Sequence, residues 1–363
     1  MPRNRNTCQE CGSDIARDEQ PLTYEGRTIC GNCYDQIENY ENEDEDDGNY
    51  TESYGINSYS HKPDNIFYST TSHPTRHSSV TKKEPFFGIE LETENHTSRE
   101  RSFGETANEA GHLTDGFVYS KEDCSLRNGF EIVSHPATLS YWQNETSGYV
   151  KMLAMLRNEG YRAWTTSRCG LHIHISKDSF VKPAHDMKFI YFIFRNKKPI
   201  INLVARNSPF AQFNLDSFLG LPTDEDEFEG WSRTYKKPTL IEVAKGTCDD
   251  GSPISRQSER NLAVNRLPLD TYELRIFRPS LRFATILAYI EFLHCLFEYT
   301  KQITANDILQ KQAISTFEPL AVYARENKEK YPNFIWKMHT RPEVSKAPQN
   351  WVDNPHPYKT GEQ

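Results

Sequence analysis

Apolar and polar residues alternate with a period of two in four separate stretches of the chain: Phe86–Glu94, Phe130–Ser134, Leu171–Ser176 and Tyr272–Pro279. Successive side chains of a strand point to opposite faces, so each stretch reads as a β-strand with one apolar side. Apolar positions at helical spacing predict helices at Tyr149–Asn158, Ala184–Arg195, Ile200–Ala205, Phe283–Thr300 and Phe317–Asn327. Gly160, Gly170 and Pro183 punctuate these segments. Strands interleaved with helices predict one α+β domain over residues 83–335, with helices covering an antiparallel or mixed sheet.

The pattern is different on either side of that span. Residues 1–40 carry few large apolar side chains, and Glu41–Asp47 is almost wholly acidic. Polar residues with few aliphatics continue to about residue 82, so 41–82 reads as a flexible acidic and polar linker that buries too little to offset its ordering entropy. Residues 336–363 read as a C-terminal tail. The net charge of −9 argues against nonspecific nucleic-acid binding, which needs a basic surface. No apolar run approaches the roughly 20 residues that cross a bilayer, and Met1–Asn6 leads straight into polar sequence without a signal-peptide layout. A soluble cytoplasmic protein with no membrane partner is expected.

Of the eight cysteines, four form two CxxC pairs, Cys8/Cys11 and Cys30/Cys33. Their spacing falls within the range for a four-thiolate zinc site, with a hairpin bringing the second pair round, and the segment resembles a zinc ribbon or half of a LIM-type finger. So short a segment has little else to hold it together, and four thiolates leave no open position, so the zinc would be structural. Free or redox-active CxxC turns are the alternative. Cys124, Cys169, Cys248 and Cys295 read as reduced, mostly buried singles.

The polar sides of the four strands are chemically selective. Glu90 and Glu92 share a face opposite Ile89 and Leu91; His172 and His174 share one opposite Leu171, Ile173 and Ile175; Glu273 and Arg275 share one opposite Tyr272, Leu274 and Ile276; and Glu131 lies opposite Phe130 and Ile132. Amphipathic strands usually turn their polar side to water, but such faces commonly mix Thr, Lys, Ser and Gln. Acids and imidazoles are ligands for Mg²⁺ or Mn²⁺, which in turn hold nucleotide phosphates, and a guanidinium among them suits a developing anion. A P-loop, a His-Glu-x-x-His zinc helix and a Gly-x-Ser-x-Gly elbow are all absent from the sequence.

In order along the chain, Gly88-Ile89-Glu90-Leu91-Glu92, Asp123-Cys124-Ser125-Leu126 with Gly129–Ser134, Gly170-Leu171-His172-Ile173-His174, and Arg260–Asn265 with Thr271–Phe277 resemble the motifs of the amidoligase family. That family is a branch of the glutamine-synthetase and glutamate–cysteine-ligase superfamily. The resemblance implies a glutamine-synthetase-like catalytic domain that uses ATP and Mg²⁺ or Mn²⁺ to join a carboxylate and an amine, with a protein or peptide as one candidate substrate. It implies that Glu90, Glu92, Glu131, His172 and Glu273 carry the divalent metals, with Arg275 on the transferring phosphoryl group or the acyl phosphate. It places His174 and Ser176 at the nucleotide, joined by Asp123, Ser125 and Asn265, and Arg206 at a substrate carboxylate. Cys124 stands where the family usually has glycine, which would cost about 1 kcal/mol if the turn required positive φ. Arg278 is a second inward candidate, with Pro279 beside it. Two other readings stand beside the ligase: an inert scaffold whose Cys module recruits a partner, and a phosphotransferase acting on a guanidino acceptor.

Overall fold

The computed structural model of this chain describes residues 22–24, 27–29, 55–64, 66–69, 72–76, 84–95, 101–144, 146–164, 168–214 and 261–340. These divide into two compact units, one drawn from Met1–Asn65, Glu90–Ser134 and Ser147–Cys169, the other from Ile66–Ile89, His135–Thr146 and Gly170–Gln363. The span 83–335, expected as one domain, is thus shared between them. Each unit is α+β with a mixed sheet.

The first unit is organised on β6 (Phe86–Asn95), whose residues from Glu90 onward belong to it. Antiparallel β8 (Gly129–Ser134) and β10 (Tyr161–Arg162) pair with β6, antiparallel β7 (Val118–Lys121) with β8, and a short parallel β3 (Ile56–Asn57) with β7. Helix α1 (Phe103–Leu113) packs on β7 and against α3 (Ser147–Asn158). A capping box starts α1: the Glu105 N–H donates to the Ser102 hydroxyl (3.2 Å), and the Ser102 N–H donates back to the Glu105 carboxylate (2.7 Å). The Ser102–Glu105 pair is present in the sequence and signals a helix start that the apolar spacing alone does not. Farther back, a two-stranded hairpin of β1 (Leu22–Tyr24) and β2 (Arg27–Ile29) falls between the two CxxC pairs. Cys8, Cys11, Cys30, Cys33 and Cys248 lie outside the described residues.

In the second unit, β11 (Leu171–Ser176), β12 (Val264–Asn265) and β13 (Thr271–Phe277) form antiparallel ladders, with β13 in the middle. The start of β6 pairs with β9 (Ala137–Thr138), and β4 (Ile66–Ser69) pairs with β9 and with β5 (Ser72–Arg76). Helix α6 (Phe283–Gln302) is buried along nearly its whole length. Helices α2 (Leu139–Asn144), α4 (Pro183–Arg195), α8 (Phe317–Glu326) and α9 (Pro332–His339) pack around it, and the short α7 (Ala305–Leu309) packs on α4. Among the described residues no helix is long and apolar enough to cross a membrane.

Two expectations about boundaries need correction. The stretch 41–82 contains β3, β4 and β5, because Ile56, Ile66, Phe67 and Tyr68 give it enough packing surface: Phe67 meets Phe86 edge-on at 5.3 Å and Tyr68 is buried. A shortage of aliphatics hid what aromatics could do. The tail expected from residue 336 is helical through His339, where Phe334, Ile335 and Met338 of α9 are buried. The single cysteines behave as expected where described: Cys169 and Cys295 are buried and Cys124 is half-buried.

Candidate functional site

The apolar sides of the strands are sealed, with Ile89, Leu91, Ile132, Leu171, Ile173, Leu274 and Ile276 all at most 1% exposed. Much of their polar sides is out of water too, although Glu90, His174 and Arg275 are only half-buried. Glu92 is 6% exposed, Glu131 5%, His172 4% and Glu273 5%. A solvated polar face would not look like this, since unpaired burial of such groups is costly.

In the first unit, register puts the acids in rows. Glu92 is directly opposite Glu131 and Glu90 opposite Val133, so Glu90, Glu92 and Glu131 share one face of β6 and β8. Asp123 comes from the loop after β7, where its Oδ1 accepts the Ser125 N–H at 2.7 Å. One carboxylate oxygen each from Glu92, Asp123 and Glu131 lies within 4.8 Å of the others. Burial, then Glu90 and Asp123, push the Glu131 carboxyl well above the ordinary range, with Glu92 adding to this and Lys121 opposing it. Crowded buried carboxylates repel unless a cation joins them, and an all-oxygen donor set suits a hard divalent ion such as Mg²⁺ or Mn²⁺. These residues fit the metal role. Positive φ outside glycine occurs, among the described residues, at Asp115, Ala205 and Lys311, so Cys124 carries no such penalty.

In the second unit Glu273 is the hub. Its Oε2 accepts from Asn265 Nδ2 at 2.7 Å, its Oε1 is 3.4 Å from His172 Nδ1, and the Arg275 guanidinium donates to the same Oε1. A bulge shapes this group: Leu171 pairs with Phe277 but Ile173 pairs with Leu274, so Arg275 and Ile276 together oppose the single residue His172. His174 is directly opposite Glu273, and its Nδ1 is 2.8 Å from Thr271 Oγ1. Gly170 makes room for the ring: a Cβ there would fall 2.9 Å from His172 Nε2 and 3.1 Å from Arg206 Nη1.

Several expected residues have structural duties. Arg206 follows helix α5 (Lys197–Val204) through Ala205 in the left-handed region, and its Nη1 donates to the carbonyls of Arg275 (3.1 Å) and Phe277 (3.0 Å). It grips the backbone of β13. Ser176 Oγ accepts the Phe86 N–H at 3.1 Å, which ties β11 to the start of β6. Asn265 Oδ1 accepts the Leu267 N–H at 2.9 Å, which fixes the amide that holds Glu273. The strand β13 ends at Phe277, leaving Arg278 exposed.

A scan of the sequence against protein-family models finds no match, and a search of curated proteins finds none.

Glu94 and Lys121 join the site without being among the residues expected there. Glu94 continues the Glu90–Glu92 row, is 6% exposed, and accepts the Arg127 N–H at 3.0 Å. Period two extended by one more step would have found it. Lys121 is opposite Glu131 in register, which no local pattern reveals.

Proposed function

We propose that the chain is an ATP-dependent carboxylate–amine ligase of the amidoligase type, with a glutamine-synthetase-like catalytic domain. One observation carries the reading: Glu92, Glu131, His172 and the hub Glu273, on the strands' polar sides, are buried at 4–6% exposure. The Glu92–Asp123–Glu131 oxygens crowded within 4.8 Å support it further. Clustered, desolvated ligands of this kind mark sites more often than surfaces.

The reading gives roles to both units. In the first, Glu92, Asp123 and Glu131, with Glu90 beside them, would hold Mg²⁺ or Mn²⁺, whose charge offsets that of nucleotide phosphates when bound. In the second, Asn265 holds Glu273, which in turn holds Arg275 and His172, so the guanidinium is already in place when an anion forms. A substrate carboxylate oxygen attacks the γ-phosphorus of ATP, the bond to the bridging oxygen breaks, and ADP leaves. The amine nitrogen then bonds to the acyl carbon of the acyl phosphate, inorganic phosphate departs with the C–O electrons, and a base takes the ammonium proton. A protein or peptide substrate fits a chain whose Cys8/Cys11/Cys30/Cys33 module would bind structural zinc and recruit a macromolecule. The described hairpin between the two pairs supports that module.

Release of ADP and phosphate from ATP, with Mg²⁺ and mixed amines and carboxylates, tests the reading. Glu131→Gln and Glu273→Ala should each reduce release by at least about a hundredfold, the usual scale for losing an electrostatic contributor to catalysis. Turnover unaffected by both substitutions would refute it. ADP formed with a phosphorylated guanidino product and no amide would instead indicate the phosphotransferase.

A further inference from the structure

The acidic face of the first unit contains a cation that the ligase reading leaves unassigned. Lys121 ends β7 directly opposite Glu131, which in turn is opposite Glu92, so the three side chains share one face in adjacent rows. A lysine beside buried acids would ordinarily collapse onto one of them as an ion pair. Here the ammonium lies over the ring of Tyr59, 5.1 Å from its centroid, a cation–π contact that holds it at the edge of the acids.

Tyr59 is held in place by the segment it belongs to. β3 runs parallel to β7, Asn57 Nδ2 donates to the Ser120 carbonyl at 3.0 Å, and the Glu122 N–H donates to the Asn57 carbonyl at 3.0 Å. Two residues on, His61 meets Tyr119 edge-on at 5.9 Å, and burial, then the nearby charges of Glu90 and Glu131, raise the Tyr119 phenol above its ordinary range. The residues around Ile56–His61 thus form an aromatic flank beside the acids, with one cation set into it.

We propose that Lys121, held by Tyr59, is an oxyanion-receiving residue of the acidic face: an anion brought there with a divalent ion is met by the acids' cation on one side and by Lys121 on the other. The proposal rests on the metal role given above to Glu92, Asp123 and Glu131. A lone ammonium with three mobile donors suits a phosphate or a carboxylate oxygen equally, and either chemistry occurs in the ligation. The simpler alternative is that Lys121 only dilutes negative charge. That alternative predicts tighter Mn²⁺ binding when the charge is removed, and no change in how anions influence it.

The test is a Mn²⁺ titration of the full chain followed by electron paramagnetic resonance, alone and with inorganic phosphate or acetate as separate arms. In the wild type one of the two anions should tighten Mn²⁺ binding, and which one does identifies the group that Lys121 receives. Lys121→Met should lose about tenfold of that coupling, the worth of one charge-assisted hydrogen bond, while binding Mn²⁺ alone at least as tightly as before. Tyr59→Leu, which keeps the charge but removes the platform, should lose part of the coupling. Coupling that survives Lys121→Met, or that neither anion produces in the wild type, overturns the role of Lys121 while leaving the metal site standing. A wild-type chain that binds no Mn²⁺ overturns the metal site and this proposal together.

Discussion

Glu291, on α6, is fully buried and provides a prediction with a definite sign. Its Oε1 accepts from Gln143 Nε2 of α2 (3.0 Å) and Asn333 Nδ2 of α9 (2.8 Å), and its Oε2 accepts the Phe334 N–H (2.8 Å). Burial outweighs these donors and pushes the carboxyl from 4.5 up to about 7. The folded state therefore favours the protonated acid. Its contribution to stability is fully present below pH 4.5 and is lost as the pH rises through about 7. Each tenfold change in proton affinity is worth about 1.4 kcal/mol, so the loss amounts to about 3 kcal/mol. One turn along the helix, His294 works the other way: burial lowers it from 6.5 to about 3, so its contribution is present above 6.5 and is lost as the pH falls. His185, lowered to about 4 by burial, has the same sign as His294. Between pH 4.5 and 6.5 the slopes of Glu291 and His294 oppose and largely cancel. Wild-type stability alone therefore conceals both groups, and a variant is needed to separate them. Glu291→Gln keeps the shape of the protonated acid and removes its titration. Urea unfolding of both proteins at a series of pH values should show the variant gaining about 3 kcal/mol on the wild type between pH 4.5 and about pH 8. A difference that stays flat across that range, or grows in the opposite direction, would refute the account.

Two further outcomes follow from the backbone around β11 and β13. Gly170→Ala should lower turnover about tenfold and urea stability by about 1 kcal/mol, because its Cβ would displace the His172 ring and push the Arg206 guanidinium off the β13 carbonyls it holds; unchanged turnover would show that the ring position does not matter. Ala205→Gly should stabilise the fold by about 0.5 kcal/mol, since relief of a left-handed residue at φ 53 slightly exceeds the extra freedom glycine gives the unfolded chain. A stability measurement that shows a loss would mean that the alanine methyl packs more usefully than its backbone is strained.

The sequence determined the four chemical strands on its own. Alternation fixed which side of β6, β8, β11 and β13 carries acids, imidazoles and the guanidinium, and the observed strands match within a residue or two. Local periodicity is enough for that, because it depends only on neighbours along the chain. The same is true of α4, α6 and α8, whose apolar spacing is visible in any short window. Tertiary structure decided the rest. Which acids crowd together depends on the pairing of Glu92 with Glu131, and the approach of Lys121 depends on β7 pairing with β8. The bulge that sets Arg275 and Ile276 against His172 is a mismatch between two strands and has no signature in either one. Burial of the polar faces, which separates a site from a wetted surface, is likewise a property of what packs over them. Glu291 reads in sequence as an ordinary helical glutamate, and only the arrival of α2 and α9 makes it a buried, proton-sensitive knot. Sequence dictates the direction a side chain leaves its own strand or helix, whereas the partner it meets is set by contacts between residues far apart along the chain.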